Sequence, residues 1–524
     1  MDHTSTTSKK YYRRRMTSVG RFSMLSETKG NPSVPVMVLA LSGKRLNAED
    51  FVKLYYDRNI GTRHERFRST TDDFTNFKVV PEIKFQPPVT QMLSYPLIYR
   101  TQLKNWITDA LLEPMDLSKS LWEANIFTGG HIGQSGAVPM STFQKGKDTK
   151  HSVESLIIFR CHHVMADGVS LGTIFSDLMD EHEDFQNMIK MKLKAFQKHK
   201  KSFWKRLQFV LYYWCWGSIK AFAYQFYLYW ADLISRLTNS NPWILLRQQV
   251  QNDDVSSESR TLSWCQATTL DEVKQVAAYF STKTSRVTVN DVFCSCVTAA
   301  IAKLIHYHQN QHNDLNLSLP NLNLVMPVHM QGGILLPGQS LGNKIGAIVS
   351  RLPGLSKEDE TPLSPSERLE RVHQVLSSRK KTPAAFWSFL LAKFVGSVGF
   401  GGHNIHEITT EDSAKTKKIS ANLVPWIFEK AHANASVVVT NVRGPSKMVH
   451  LDGRRVEGSM GFLPLPSGIP IGVVVSSYAN KLMLTVMAEP WAVPDADLFL
   501  SWIVEEYQTL KREAGIEEKD KSSL

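Results

Sequence analysis

Two adjacent histidines, His162 and His163, follow an apolar run, Ser155 to Arg160, that predicts a buried β-strand. Asp167 comes four residues after His163, and Gly168 then opens a segment whose apolar residues recur at helical spacing. A short loop between a strand and a helix is held at both ends and can aim side chains at a substrate. These residue types are compatible with a metal site, a buried structural histidine or a proton-abstracting histidine.

The alternation of side chains along a strand separates these three interpretations. Adjacent strand residues point to opposite faces, and no further ligands follow at fixed spacing, so a shared metal ion is disfavoured. The same alternation lets one imidazole face a cleft while the other packs behind it. A neutral imidazole has a pKa near physiological pH, which suits the removal of a proton from a hydroxyl group. The residues alone leave a general base and a structural histidine about equally favoured, with Asp167 placed to fix the loop.

The sequence His162-His163-x-x-x-Asp167-Gly168 resembles the motif of acyltransferases that share the chloramphenicol acetyltransferase fold. Its continuation into Val169-Ser170 is most similar to the wax ester synthase/diacylglycerol acyltransferase family. The resemblance implies that His163 deprotonates an acceptor hydroxyl, which attacks an acyl-CoA thioester directly, without an acyl-enzyme. It also implies that His162 lies behind this base and that Asp167 is mainly structural.

The pair Asn290-Asp291 opens a predicted helix in the second half of the chain. Thr288 can cap that helix, and Asp291 falls in its first turn, where the helix dipole favours negative charge. Capping is therefore sufficient to explain Asp291. The pair also resembles a second signature of the same family. That resemblance implies that Asn290 faces the reaction centre as a neutral donor to an oxyanion, and that Asp291 contributes to substrate binding.

Two weaker segments resemble family landmarks in the expected order. At Leu121-Trp122 the family's preceding proline is replaced by Ser120, and a tryptophan packed at the start of a strand is the favoured interpretation of the residues. At Asn441-Val442-Arg443-Gly444-Pro445 the arginine replaces the first proline of an Asn-Val-Pro-Gly-Pro sequence. The resemblance implies that four further residues bind substrate: Gly168, Trp122, Asn441 and Gly444.

The composition of the whole chain limits the classes of function. Its 524 residues, 42% hydrophobic and 21% charged, exclude global disorder and predict about two domains. A net charge of +12 is typical of proteins that bind nucleic acid, an anionic membrane or a phosphate-bearing substrate. No nucleic-acid-binding motif occurs, so no nucleic acid partner is expected. Five cysteines without a disulfide framework favour a reducing compartment, and the N-terminus lacks the apolar core of a signal peptide.

The crossover between the two predicted domains has an unusual composition. Met188 to Arg206 contains eight basic residues and no acidic one, and Phe203 to Trp230 contains thirteen aromatic residues. This combination favours interfacial or re-entrant insertion into a membrane. Lys220 disfavours a membrane-spanning helix. A spanning helix and a buried inter-domain helix both remain as alternative interpretations of this segment. Two other segments are expected to have structural roles only. Ala384 to Val398 is predicted to be an ordinary core helix, and the arginines of Arg66-Phe67-Arg68 are predicted to be surface charges.

We predict five segments: a disordered basic tail (1–18), an N-terminal acyltransferase domain (19–187), a membrane-associating crossover (188–258), a C-terminal acyltransferase domain (259–514) and a tail (515–524). The resemblance covers about residues 20–515. It implies an α/β fold of two chloramphenicol acetyltransferase-like domains with a substrate tunnel between them.

The resemblance further implies the substrates. Long-chain acyl-CoA would enter the tunnel from one end as co-substrate, and a fatty alcohol or diacylglycerol from the other, with no metal and no further cofactor. The expected location is the endoplasmic reticulum membrane or a lipid-droplet surface, with the active site facing the cytoplasm. A non-catalytic membrane-surface protein on the same scaffold, or an acyltransferase for another hydroxyl acceptor, are the alternatives. The choice between the two acceptors, the chain length and the oligomeric state stay open.

Overall fold

The computed structural model describes residues 12–28, 30–71, 73–92, 100–128, 153–198, 210–238, 242–250, 259–311, 322–331, 341–352, 363–398, 424, 426–427, 432 and 435–516. The strands within these ranges are β1 Tyr12–Arg15, β2 Val36–Ser42, β3 Ser69–Thr70, β4 Asn76–Val79, β5 Val89–Gln91, β6 Trp122–Thr128, β7 Val153–Cys161, β8 Thr261–Thr269, β9 Leu322–His329, β10 Ile345–Leu352, β11 Val437–Arg443, β12 His450–Leu451, β13 Arg454–Phe462, β14 Ile471–Tyr478 and β15 Lys481–Ala488.

The helices within the same ranges are α1 Ser18–Leu25, α2 Ala48–Asp57, α3 Ile60–Arg63, α4 Arg100–Leu112, α5 Gly168–Leu178, α6 His182–Lys198, a π-helix Val210–Trp216, α7 Gly217–Leu237, α8 Pro242–Val250, α9 Leu270–Tyr279, α10 Val289–Gln311, α11 Pro365–Lys380, α12 Ala384–Val398 and α13 Ala496–Glu513. Short 3-10 turns lie at Glu65–Arg68 and Glu82–Lys84. The pattern of strands and helices gives the predicted α/β architecture.

Two six-stranded sheets organise the chain, in the orders β12-β13-β2-β7-β6-β5 and β10-β9-β11-β14-β15-β8. The first sheet is not built from the N-terminal half alone, because β12 and β13 come from the segment predicted as the C-terminal domain. In β2, Val38 lies opposite Met460 on one side and Ile158 on the other. Without β13, the buried strand β2 would have an unpaired edge. The predicted separation at residue 259 therefore holds for the second sheet but not for the first.

The predicted disordered tail is wrong for residues 12–18. Strand β1 pairs antiparallel with β4 in a small third sheet, so the backbone of this basic segment is hydrogen-bonded. Arg14 forms an ion pair with Glu65 at 2.9 Å, and Arg13 forms one with Asp73 at 3.1 Å. Thr17 then caps α1 through a hydrogen bond from the Gly20 amide. Residues 1–11 and 517–524 lie outside the described ranges.

The crossover is helical where the structure describes it. Helix α6 runs across the predicted boundary at residue 187, and the π-helix, α7 and α8 follow it. Part of the basic run, residues 199–209, lies outside the described ranges. Among the described helices, α10 has the length and apolar composition to cross a membrane, and most of it is buried within the protein. Its side chains join the large apolar cluster of the second sheet, as expected of a core helix.

Helix α12 differs from the core helix that its composition predicts. Its buried residues include Ala385 and Val395, whereas Leu391, Phe394 and Val398 are exposed. Its contact with α1 is close, because a Cβ atom added at Gly396 would lie 1.8 Å from the backbone oxygen of Ser18. One side of the helix therefore packs against the protein, and the other side exposes apolar side chains.

We expect Gly396→Ala to lower the free energy of unfolding by roughly 1–3 kcal/mol, because the new methyl group meets backbone atoms that cannot move independently. Gly172→Ala is the matched control: it lies in α5, where an added Cβ has nothing within 4 Å, and helix propensity predicts a gain of about 0.5–1 kcal/mol. Urea unfolding of both variants measures the difference. Equal stabilities would contradict the close approach of α1 and α12.

Candidate active site

One cavity of about 2250 Å³ is lined by residues from both halves of the chain. His163 and Gly168 reach it from the loop after β7, and Asn290, Asn441 and Gly444 reach it from the second half. The structure thus brings together five of the predicted site residues on one surface. His162, Asp167, Asp291 and Trp122 do not line it.

His163 is held in one tautomer by a backbone carbonyl. Its Nδ1 lies 3.2 Å from the oxygen of Ala166. A carbonyl oxygen can only accept, so Nδ1 carries the hydrogen and Nε2 keeps its lone pair. Burial lowers the pKa of His163 below its ordinary value of 6.5, although the Ala166 carbonyl and the Asp167 carboxylate act in the opposite direction. The side chain is therefore a neutral imidazole at neutral pH, with an unprotonated nitrogen available to a substrate.

His162 packs behind this base, as the alternation along the strand predicts. Its Nδ1 accepts a hydrogen bond from the Val164 amide at 2.9 Å, so Nε2 carries the hydrogen and donates it to Glu27 Oε1 at 2.8 Å. Glu27 also accepts from the amide of Ser33 at 2.6 Å. The buried pair anchors the start of the loop that carries His163 to the segment after α1. Sequence analysis missed Glu27, because its partner lies 135 positions away along the chain.

Asp167 holds the other end of the loop. Its Oδ1 accepts from the Ser170 amide at 2.8 Å and caps α5, and its Oδ2 accepts from the Lys344 amide at 2.9 Å. Burial alone would raise the pKa of Asp167, but hydrogen bonds from the His329 side chain and from the two amides hold that pKa below its ordinary value. The side chain is completely buried, so its position is structural.

His329 is a second histidine of the cavity that the sequence did not indicate. It ends β9, and its Nδ1 accepts from the Gln331 amide at 3.3 Å. Its Nε2 therefore carries the hydrogen and lies 3.5 Å from Asp167 Oδ2. The side chain links the second sheet to the loop of His163. No neighbouring residue in the sequence signals this contact.

Arg66 is not the surface charge that was predicted. Its side chain is 3% exposed, and Nη1 donates to the carbonyl oxygens of Met165, at 3.1 Å, and Val164, at 3.4 Å. Burial lowers the pKa of Arg66 to about 10. The guanidinium donates to carbonyl groups of the loop after His163 that have no partner in regular secondary structure. These hydrogen bonds explain why a charge is retained in the interior.

Asn290 and Asn441 meet at the cavity wall. The Asn441 Nδ2 donates to Asn290 Oδ1 at 2.5 Å, and the Asn290 Nδ2 lies 3.6 Å from the sulfur of Met326. An amide nitrogen carries two hydrogens, so each side chain keeps a further N–H donor. The second half of the chain thus presents neutral donors on the cavity that receives His163.

Two residues expected to bind substrate are engaged elsewhere. Asp291 is buried, and its Oδ2 accepts from the Thr288 amide and from His373 Nδ1, while Oδ1 accepts from Lys380, each at 2.9 Å. It anchors the start of α10 to α11, so its substrate-binding role was wrong. Trp122 is likewise 1% exposed and donates from Nε1 to the Phe67 oxygen at 2.8 Å.

Gly444 does line the cavity, and its small size has a local cause. A Cβ atom at this position would lie 2.5 Å from the Ser477 oxygen, which accepts a hydrogen bond from the Gly444 amide at 2.8 Å. The glycine therefore lets the end of β11 approach β14 closely. Within the described ranges, no group of three or more His, Cys, Asp or Glu side chains is placed to hold a metal ion.

The fold is similar to the folds of two acyltransferases of known structure. A wax ester synthase/diacylglycerol acyltransferase from Marinobacter aquaeolei aligns with a TM-score of 0.53 and 13% identity, over 96% of this chain and 100% of that chain. A trichothecene 15-O-acetyltransferase from Fusarium sporotrichioides aligns with a TM-score of 0.51 and 11% identity, over 95% of each chain. The predicted two-domain α/β fold is confirmed.

The sequence comparisons find similarity to wax ester synthase/diacylglycerol acyltransferases. Residues 341–511 match the WS/DGAT C-terminal domain model. Wax ester synthase/diacylglycerol acyltransferase 9 from Arabidopsis thaliana is 20% identical over 482 residues, which cover 86% of this chain and 86% of the relative. The chain is therefore similar to the wax ester synthase/diacylglycerol acyltransferase family, and the predicted resemblance is confirmed.

The lowered pKa of His163 predicts the pH dependence of any acyl transfer in which this imidazole accepts the proton. Above pH 6.5 the imidazole is neutral, so kcat/KM should not change with this group; as the pH falls below 6.5 the base becomes protonated and the rate should fall. A pH profile of kcat/KM, with protein folding checked by circular dichroism at each pH, measures the acidic limb. A limb centred above 6.5 would contradict the buried, neutral imidazole.

Proposed function

We propose that this protein transfers a long-chain acyl group from acyl-CoA to the hydroxyl group of a fatty alcohol or diacylglycerol, with His163 as general base. The observation that carries the proposal is the tautomer of His163. The Ala166 carbonyl leaves Nε2 unprotonated on a cavity that also receives the amide donors of Asn290 and Asn441. A base and hydrogen-bond donors on one cavity are the groups that acyl transfer needs.

The proposed reaction uses these side chains in one sequence. The acceptor hydroxyl gives its proton to His163 Nε2 as its oxygen attacks the thioester carbonyl carbon. The negative charge that develops on the carbonyl oxygen is stabilised by an N–H of Asn290 or Asn441. The carbon–sulfur bond then breaks, and the imidazolium returns its proton to the CoA thiolate, so the base is regenerated.

The size and walls of the cavity support long-chain substrates. A volume of about 2250 Å³ exceeds the roughly 300–1,000 Å³ of an ordinary small-molecule pocket. Apolar side chains from several elements line it, including Phe22 of α1, Phe386 of α12 and Trp214 of the π-helix. The names of the similar proteins state a diacylglycerol acceptor and a wax ester product, and a wax ester forms when the acyl acceptor is a fatty alcohol.

Replacement of His163 by Ala should lower the rate of ester formation by roughly 10²–10⁴-fold, because the acceptor hydroxyl then loses the imidazole nitrogen that takes its proton. His306→Ala is the control, since this exposed histidine contacts Gln309 within α10. Labelled palmitoyl-CoA is offered with hexadecanol or with diolein, and the products are separated by chromatography while CoA release is recorded.

The alternatives give different results in the same assay. A wild-type protein that releases no CoA with either acceptor would be a non-catalytic protein on this scaffold. Release that requires another hydroxyl compound would identify a different acceptor. Full activity of a folded His163→Ala protein would refute the mechanism.

We further propose that the protein works at a membrane surface, at the endoplasmic reticulum or a lipid droplet, with the cavity facing the cytoplasm. This proposal is supported by a solvent-exposed surface that consists mainly of apolar and aromatic side chains, which we call the apolar face. It comprises exposed residues of the π-helix, α7 and α12: Val210, Leu211, Tyr212, Trp216, Ile219, Phe222, Phe226, Tyr227, Tyr229, Trp230, Ile234, Leu237, Leu391, Phe394 and Val398.

The apolar face is continuous across two helices. The Trp387 Nε1 of α12 donates to Ser218 Oγ of α7 at 2.9 Å, and the ring centroids of Phe222 and Trp387 are 5.3 Å apart. On α7 the buried side is opposite, at Ala221 and Leu228. Exposed apolar surface of this extent marks an interaction site, and its aromatic content together with the preceding basic run suits an anionic lipid interface.

Phe226→Ser combined with Phe394→Ser should weaken binding to liposomes by roughly tenfold for each phenylalanine, because about 1.5–3 kcal/mol of apolar transfer is lost for each complete side chain. Ile83→Ser is the matched control, since Ile83 is 95% exposed and lies outside the apolar face. Flotation with vesicles of phosphatidylcholine and phosphatidylserine measures binding. Unchanged flotation of the double variant would show that lipid is not the partner of this face.

A further inference from the structure

The cationic side chains of the cavity fall into two groups. Among the described residues, the lysines and arginines that line it are Arg14, Arg63, Arg66, Lys380, Arg443 and Lys447. Four of them are occupied within the protein: Arg14 by Glu65, Arg63 by Asp177 and Lys380 by Asp291, each at 2.9 Å, and Arg66 by backbone carbonyls. Their charges are already compensated.

Arg443 and Lys447 form the second group. Both are exposed, and neither has an ion pair with any residue that the structure describes. Exposed cations usually point into solvent without a role, but these two lie on the wall of the cavity that holds His163. Two uncompensated positive charges at the edge of an otherwise largely apolar cavity favour an anionic part of the substrate.

The strand geometry places Arg443 just outside the reaction centre. Arg443 ends β11, two residues after Asn441. Residues i and i+2 of a strand share a face and are separated by about 6.5–7 Å. Arg443 therefore projects on the side of Asn441, farther towards the opening. The backbone beyond it is fixed by two hydrogen bonds, from Gly444 N to Ser477 O at 2.8 Å and from Ala479 N to Pro445 O at 2.9 Å.

We propose that Arg443 and Lys447 bind the phosphate groups of acyl-CoA, so that the opening at the end of β11 is the nucleotide end of the cavity. This inference rests on the proposed function. In acyl-CoA the pantetheine arm separates the thioester from a diphosphate and a 3′-phosphate, so the cations that bind them must lie outside the reaction centre. An arginine suits this role because its guanidinium binds phosphate oxygens with two parallel hydrogen bonds. The arginine stands where the family sequence has an uncharged proline, so this contact is a property of the present chain.

The double variant Arg443→Ala/Lys447→Ala tests the inference with two acyl donors. We expect KM for palmitoyl-CoA to rise roughly tenfold or more, because charge-assisted hydrogen bonds are lost. KM for S-palmitoyl pantetheine, which has the thioester but no phosphate, should stay unchanged. Lys283→Ala/Arg286→Ala is the matched control, because it removes the same two residue types from exposed positions outside the cavity.

A binding measurement separates this inference from the proposed function. Isothermal titration with adenosine 3′,5′-bisphosphate should show binding to the wild type and to the control, and at least tenfold weaker binding to the Arg443→Ala/Lys447→Ala protein. If the wild type transfers no acyl group, the proposed function fails and this titration alone decides the inference. An equal rise in KM for both donors, or unchanged binding of the bisphosphate, would overturn it. Loss of vesicle binding with unchanged bisphosphate binding would assign the two cations to anionic lipid and would also overturn it.

Discussion

The buried carboxylate of Asp167 is the constraint on which the site depends. An unpaired charge in the interior costs several kcal/mol, so this side chain is tolerated only while its hydrogen-bond donors are in place. They come from both halves of the chain: the Ser170 amide opens α5, and the Lys344 amide precedes β10. The loop of His163 therefore reaches its geometry only when the two halves have closed around it. The neighbouring contact of Ser170 Oγ with the Gly342 oxygen, at 3.1 Å, belongs to the same interface.

Two strands that the second half contributes to the first sheet, β12 and β13, hold the two halves together. Strand β13 pairs with β2 along its length, although the two are separated by most of the chain. Arg454, at the start of β13, is 1% exposed and is held by Asp50 at 2.6 Å and by the carbonyl of Lys44 at 2.9 Å. Separating the halves would expose this guanidinium and break a sheet.

The success of sequence analysis depended on the distance between partners along the chain. The strand, loop and helix around His163, and the helix that begins after Thr288, follow from neighbouring residues and were predicted. Glu27, Arg66 and His329 escaped prediction, because each acts on a loop that lies about a hundred or more positions away. The family resemblance implied substrate binding for Trp122 and Asp291, but both side chains are buried. A motif match identifies the residue at a position, and it does not distinguish a side chain that packs in the core from one that faces the cavity.

The choice of a carbonyl as partner of His163 is itself informative. A carboxylate hydrogen-bonded to Nδ1 would fix the same tautomer, but it would stabilise the imidazolium and raise the pKa of the base. Two carboxylates do lie nearby, and each is committed elsewhere, Glu27 to His162 and Asp167 to backbone amides. Both still act to raise the pKa of His163, yet burial prevails and lowers it. The arrangement orients the imidazole through a neutral group while the negative charges hold the loop, so that the imidazole remains unprotonated at neutral pH.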